Sequence, residues 1–235
     1  MPVTLITGGS TGIGAATARL LLDAGHQVVV TARTEQRLAE FAAATGAGDK
    51  LLTLPGDASV DEDVRGWVTR TVEHFGALDN VVANAGYSTH DTLADGDPQR
   101  WREMLLANVL GPMLLIHAAL PVLRAEDGRT PRIVLVGSVA GVKNTPGNVY
   151  SVTKWAVHAL AENARMLVTG RGVGVTLVAP GRVDTPFWDE KGGVAAVGGP
   201  TMVADDIARA IAWSLTQPAG VDVNTLVVRP VGQQI

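Results

Sequence analysis

The 235-residue sequence has no cysteine, which excludes disulfide bonds, thiolate metal ligands and a cysteine nucleophile. Positive charge is not in excess either. Nineteen Lys and Arg stand against 23 Asp and Glu, a formal charge of -4, so the concentrated basic face that a nucleic acid or an anionic membrane requires is not expected. No apolar run reaches the roughly 18 residues that suggest a membrane-spanning helix. The longest runs, around 28–30 and 133–136, are short and β-branched and are read as buried strands. Between Met1 and the strand-like segment 3–7 there is no room for a basic region and an apolar signal segment, so a cytoplasmic protein is expected. Internal repeats and low-complexity linkers are also missing. With 46% hydrophobic residues, one domain over 1–235 with a single core is the expectation.

What is present is a regular alternation. Short β-branched runs at 3–7, 27–31, 51–54, 80–83, 132–137, 174–179 and 224–229 are separated by helically spaced stretches at 12–24, 35–44, 60–75, 98–123, 149–168 and 204–216. Seven strands alternating with six helices predict an α/β, doubly wound Rossmann-type fold: a parallel sheet of about seven strands with helices on both faces. The strands are apolar at nearly every position, as two covered faces require. Gly25 sits where the first helix should stop, and Pro98 stands near the start of a later one. The glycine-rich stretch 186–201 breaks the rhythm and is read as a functional loop.

Directly after the first strand come Thr7, Gly8, Gly9, Ser10, Thr11, Gly12, Ile13 and Gly14. Small residues there allow a tight turn that brings backbone N–H groups to a pyrophosphate at a helix N-terminus. After the second strand the segment Thr31, Ala32, Arg33, Thr34 holds no carboxylate to repel a 2′-phosphate and an arginine to neutralise one, favouring NADP(H) over NAD(H). A solvated loop charge is the lesser alternative for Arg33, since arginines are common on surfaces.

Tyr150 and Lys154 are four residues apart on a predicted helix and therefore share a face. An ammonium near a phenol stabilises phenolate and moves the tyrosine toward service as a general acid/base. Alone, this pattern also fits the start of any amphipathic helix. Two other features add weight. Ser138 ends the fifth strand on the side where open α/β sheets bind ligands, and Asn108 lies in an apolar helix, where its amide must find a partner. A bond to a neighbouring strand's backbone would satisfy Asn108 and is compatible with catalysis.

Taken in order, the 7–14 turn, Asp57, the run Asn84, Ala85, Gly86, then Asn108, Ser138, Tyr150, Lys154 and the 180–185 segment resemble the compact branch of the short-chain dehydrogenase/reductase family over nearly the whole chain. The resemblance implies Tyr150 as proton donor and acceptor, and Lys154 on the nicotinamide ribose, holding the tyrosine pKa down. It also implies Ser138 polarising the substrate oxygen, Asn108 supporting a water-linked proton relay, and no metal. It places the cofactor on Gly8, Ser10, Thr11, Gly12, Ile13 and Gly14, with Asp57 and Ala58 toward the adenine. Asn84, Ala85 and Gly86 would border the adenosine ribose, Pro180 and Gly181 would lie on the cofactor, and Val183 and Thr185 would meet the carboxamide. The chain departs from the family pattern at Ala83, where a second asparagine is common.

The same resemblance implies a homo-oligomer, a tetramer or a dimer, built partly through the helix of Tyr150. The segment 217–230 looks like a subgroup acting on small hydroxy acids, serine-like compounds and related aldehydes or ketones. Val139, Thr145, Tyr87, Phe187, Trp188 and Met202 are candidate pocket residues, with Trp188 assigned to substrate. Lys143, Arg182, Glu190 and Lys191 could orient a charged one. Ordinary packing or solvation suits each of these as well. The function expected is hydride transfer between nicotinamide and a carbonyl or alcohol carbon. A non-catalytic dinucleotide sensor or scaffold is the alternative, and epimerisation or dehydration on the same cofactor a third.

Overall fold

The computed structural model describes residues 1–123 and 130–233. Seven parallel strands form one sheet: β1 (Val3–Thr7), β2 (Gln27–Ala32), β3 (Leu51–Pro55), β4 (Asn80–Ala83), β5 (Arg132–Val136), β6 (Gly174–Pro180) and a last strand over Thr225–Val228. Their spatial order is β3, β2, β1, β4, β5, β6 and then the last strand. The chain moves outward from β1 in one direction and then returns to β4 to move outward in the other. The reversal between β1 and β4 opens a crevice at the strands' carboxyl ends, where such sheets bind ligands.

In place of the single core expected, side-chain alternation along each strand builds two, one on each face of the sheet. Leu5, Val29, Val81, Ile133, Leu135, Val175 and Leu177 point to one face, packed under α3 (Asp61–Phe75), α5 (Gly111–Ala119) and α6 (Val149–Val168). Ile6, Val28, Val30, Val82, Val134, Val136 and Val178 point to the other, under α1 (Gly12–Asp23), α2 (Glu35–Thr45) and α8 (Ala204–Leu215). The inner strands β1, β4, β5 and β6 are buried throughout, whereas β3 and the last strand, at the edges, are partly exposed. Gly25, with φ 86°, closes α1, and Pro98 opens α4 (Pro98–Leu105) beside its cap Asp97. No helix among the described residues is long and apolar enough to cross a membrane.

Two expectations are corrected. The single helix over 98–123 is instead α4, a wider π-helical turn over Leu106–Leu110, and α5, which ends at Ala119. Pro112 has no N–H for the carbonyl of Asn108 four residues back, so the regular ladder cannot continue through this point. The 186–201 loop is not structureless. It contains a 3₁₀ turn over Pro186–Lys191 and the short α7 (Val194–Val197). It is spanned by a small parallel pair, β7 (Val183–Asp184) with β8 (Met202–Val203); the last sheet strand is therefore β9.

Arg132, 1% exposed at the start of β5, fixes the approach to β9. Its guanidinium donates to the carbonyls of Val221 and Gln217, both at 2.9 Å, and of Pro218 at 3.2 Å. Arg132→Met leaves those acceptors without donors and is expected to lower the unfolding free energy by about 2–4 kcal/mol in urea titration. A loss below about 0.5 kcal/mol would show that water satisfies them.

Candidate functional site

At the reversal point, Asn84 clamps the end of β4 to the turn leaving β1. Its Nδ2 donates to the carbonyls of Thr7 (3.0 Å) and Gly8 (3.1 Å), while the backbone N–H groups of Asn84 and Ala85 both donate to the Thr7 hydroxyl at 3.1 Å. This closeness requires glycine. A Cβ on Gly14 would stand 2.5 Å from Asn84 Nδ2 and from the Gly8 carbonyl, and one on Gly8, where φ is 64°, would stand 2.9 Å from Ala85 Cα. Thr11 begins α1 without a side-chain cap. The first-turn N–H groups at Gly12, Ile13 and Gly14 have no acceptor within their own helix. An uncapped, glycine-walled helix start facing a crevice fits a pyrophosphate.

A cavity of about 570 Å³ runs along this edge of the sheet. One end, after β2 and β3, is lined by Arg33, Arg37, Asp57 and Ala58. Asp57 is shaped by its own turn: its Oδ1 accepts from the Ser59 N–H at 2.8 Å and the Ser59 hydroxyl at 2.7 Å. The middle is lined by Gly8, Ser10, Thr11, Gly12, Ile13, Asn84, Ala85 and Gly86, and the other end by Ser138, Tyr150, Lys154, Pro180, Val183, Thr185 and Trp188.

Three expected site residues do not face the cavity. Gly14 lies behind the turn and makes the clamp possible. Gly181 packs against Gln233 and Pro230. Asn108, 1% exposed, sits beneath the wall. Its Oδ1 accepts from the Tyr87 N–H at 2.9 Å, and its Nδ2 donates to the Tyr87 carbonyl at 2.8 Å and the Thr153 hydroxyl at 3.0 Å. Its partners are thus the segment after β4 and the helix α6, not a strand.

Asn148 caps α6 by accepting from the Ser151 N–H at 3.0 Å, which sets Tyr150 in the first turn and Lys154 one turn on. Lys154 Nζ donates to the carbonyl of Val136, the last residue of β5, at 2.8 Å and lies 5.6 Å from the centre of the Tyr150 ring. The tyrosine departs from expectation. Burial pushes the phenol well above its ordinary pKa, opposed only in part by a hydrogen bond with Ser138. The same burial pulls Lys154 down to about 8. The ammonium is engaged by the Val136 carbonyl, so in the protein alone desolvation outweighs any depression of the phenol.

Among the candidate pocket residues, Tyr87, Phe187 and Trp188 line the cavity. Val139 and Thr145 do not. Nor does Met202, which is buried in the core beside α8. The four charges proposed for substrate also lie off the wall: Arg182 donates to the Gly198 carbonyl, and Glu190 pairs with Arg100 at 2.9 Å.

A family model described as short chain dehydrogenase matches residues 2–193. The chain belongs to the short-chain dehydrogenase family. An uncharacterized oxidoreductase of Staphylococcus epidermidis is 34% identical to it over 230 residues, 97% of each chain. Another from Staphylococcus saprophyticus is 36% identical over 233 residues, again 97% of each. Of solved structures, an alcohol dehydrogenase from the archaeon Thermococcus sibiricus complexed with 5-hydroxy-NADP is similar at TM-score 0.88 and 30% identity, covering 100% of this chain and 99% of that one. A serine dehydrogenase in closed form with NADP+ is similar at TM-score 0.89 and 28% identity, covering 99% and 96%.

Sequence reasoning passed over several residues of this short-chain dehydrogenase's site. Arg37, in the first turn of α2, lines the same end of the cavity as Arg33. Thr153 holds Asn108. His158 bonds the Ser138 carbonyl at 3.1 Å, which requires its proton on Nε2, and its ring fills the space that side chains at Gly137 and Gly141 would need. The i, i+4 spacing of Lys154 and His158 on α6 was the available signal.

The shifted lysine makes stability depend on pH. Unfolded, it holds its proton to the ordinary 10.5; folded, it releases it near 8. Between those values the unfolded state carries the extra proton, so wild-type stability rises with pH, and the burial penalty is fully present only below about 8. Lys154→Met lacks this dependence. Without cofactor, its unfolding free energy relative to wild type is expected to fall by about 2 kcal/mol between pH 8 and 10 in denaturant titrations; a constant difference would contradict the shift.

Proposed function

We propose that the protein is an NADP(H)-dependent oxidoreductase that moves a hydride between nicotinamide and a small carbonyl or alcohol carbon, with Tyr150 as the general acid/base. The carrying observation is that Ser138, Tyr150 and Lys154 line one end of a cavity whose middle is the uncapped glycine turn. The neighbours with bound NADP support the choice of cofactor. So does the β2 end, where residues 31–34 bring Arg33 and no carboxylate, with Arg37 alongside.

When bound, the nicotinamide supplies a hydride to the carbonyl or takes one from the alcohol. Gly12 and Ile13 would offer N–H groups to the pyrophosphate, and Arg33 and Arg37 would neutralise the 2′-phosphate. Asp57 and Ala58 meet the adenine, Asn84, Ala85 and Gly86 the adjoining ribose, and Val183 and Thr185 the carboxamide. In reduction, the Ser138 hydroxyl donates to the substrate oxygen and Tyr150 gives that oxygen its proton, so the C=O π bond is replaced by C–H and O–H bonds. The raised phenol pKa keeps Tyr150 protonated at neutral pH, the form reduction needs. Lys154 beneath the ring stabilises phenolate as it forms. Asn108 positions, tying α6 to the segment after β4. On α6, Val152 (57% exposed) and Trp155 (44%) support assembly as a homo-oligomer.

Tyr150→Phe is expected to lower kcat by about 10²–10⁴-fold while leaving NADPH affinity, followed by nicotinamide fluorescence, within a few-fold. A kcat close to wild type would overturn the role of Tyr150.

A further inference from the structure

The catalytic end of the cavity has a wall built of rings. Phe187 lies 5.4 Å from Tyr150 between ring centres, and Trp188 lies 5.0 Å from Phe187 at 79°. Both side chains are held in place. The Trp188 indole donates to the Val183 carbonyl at 2.9 Å, and a ring nitrogen of His90 is 2.8 Å from the Phe187 carbonyl. The His90 ring packs on both, 4.9 Å from Phe187 and 5.4 Å from Trp188. Among the described residues His90 alone combines a side chain with a positive φ, 55°, so the backbone takes an unfavourable conformation where this backing ring is placed. The Arg100–Glu190 pair ties the same 3₁₀ turn to α4.

Among the described residues no guanidinium lines that end, and its one lining cation is the Lys154 ammonium. Arg33 and Arg37 belong to the β2 end, three strand spacings from β5, or about 14 Å. The Lys154 ammonium is engaged by the Val136 carbonyl, Arg182 by Gly198, and Lys143 and Lys191 do not line the cavity. A carboxylate on the substrate would lose water here without gaining a guanidinium partner, a costly exchange. A flat ring would meet the faces and edges of Phe187 and Trp188.

We propose that the substrate is a neutral carbonyl compound with an aromatic group beside the reacting carbon, or the corresponding alcohol, and that Phe187 and Trp188 select it. This deepens the oxidoreductase function proposed above and rests on it. It departs from the small hydroxy acids implied by the resemblance of 217–230.

Three carbonyl probes separate the contributions: methyl phenylglyoxylate, phenylglyoxylate and methyl pyruvate, each with NADPH consumption as the readout. The aromatic ester is expected to exceed the free acid and methyl pyruvate at least tenfold in kcat/KM. Trp188→Ala should remove most of the advantage over methyl pyruvate. Equal or better turnover of the acid or of methyl pyruvate overturns the substrate class and leaves hydride transfer standing. If no probe consumes NADPH, saturable quenching of tryptophan fluorescence by methyl mandelate, in the presence of NADP+, decides the class. Quenching that mandelate does not give and that Trp188→Phe loses upholds the ring wall while the oxidoreductase function fails. Equal responses to mandelate and its ester overturn the neutral substrate class, and quenching by the ester that survives Trp188→Phe overturns the ring wall.

Discussion

Where β1 ends beside β4, the backbone has room for a turn of glycines and for nothing larger. Asn84 closes the gap by donating to both Thr7 and Gly8, and Gly14 lies so near this amide that a single methyl group would displace it. The clamp decides where α1 begins and keeps its first-turn N–H groups facing the crevice. Parallel pairing does the rest. Once β1 and β4 are in register, β2 carries Arg33 to one end of the cavity and β5 carries Ser138 to the other.

At the far end a different constraint operates, the cost of burying polar groups. Lys154 is only 6% exposed and Asn108 1%, and each is held by acceptors or donors from elements distant in sequence: Val136 for the lysine, Tyr87 and Thr153 for the asparagine. Removing water strengthens every electrostatic interaction that remains. It also shifts the proton equilibria, up for Tyr150 and down for Lys154. Both groups thus sit where charge is costly, and small changes in their surroundings have large effects on their protonation.

The framework was legible because its signals are local and repeated. The β-branched runs and helical spacings placed strand and helix ends mostly within a residue or so, since buried parallel strands leave an almost unbroken apolar signature. The glycines of the turn, Ser138, Tyr150 and Lys154 were legible as types at spacings that chemistry needs. What depended on contacts between remote segments was not. The partners of Asn108, the ring of His158 behind Gly137 and Gly141, and the backing of Phe187 by His90 each join residues about 20 to 100 positions apart. The break at Asn108 was missed because the apolar pattern runs straight through Pro112, and the order within 186–201 because glycines there masked a turn pinned by its aromatic side chains. Met202, for which packing and pocket were both open, packs in the core, and a two-residue strand gives no periodic signal that would have decided it.

NADP(H) binding to the glycine turn and Arg33 is the claim on which the others hang, and titration of the purified protein with NADPH and, separately, NADH tests it most directly. Saturable binding of NADPH at least tenfold tighter than that of NADH is the result predicted. Binding of neither nucleotide would contradict the dinucleotide site itself, and a preference for NADH would contradict the part assigned to Arg33.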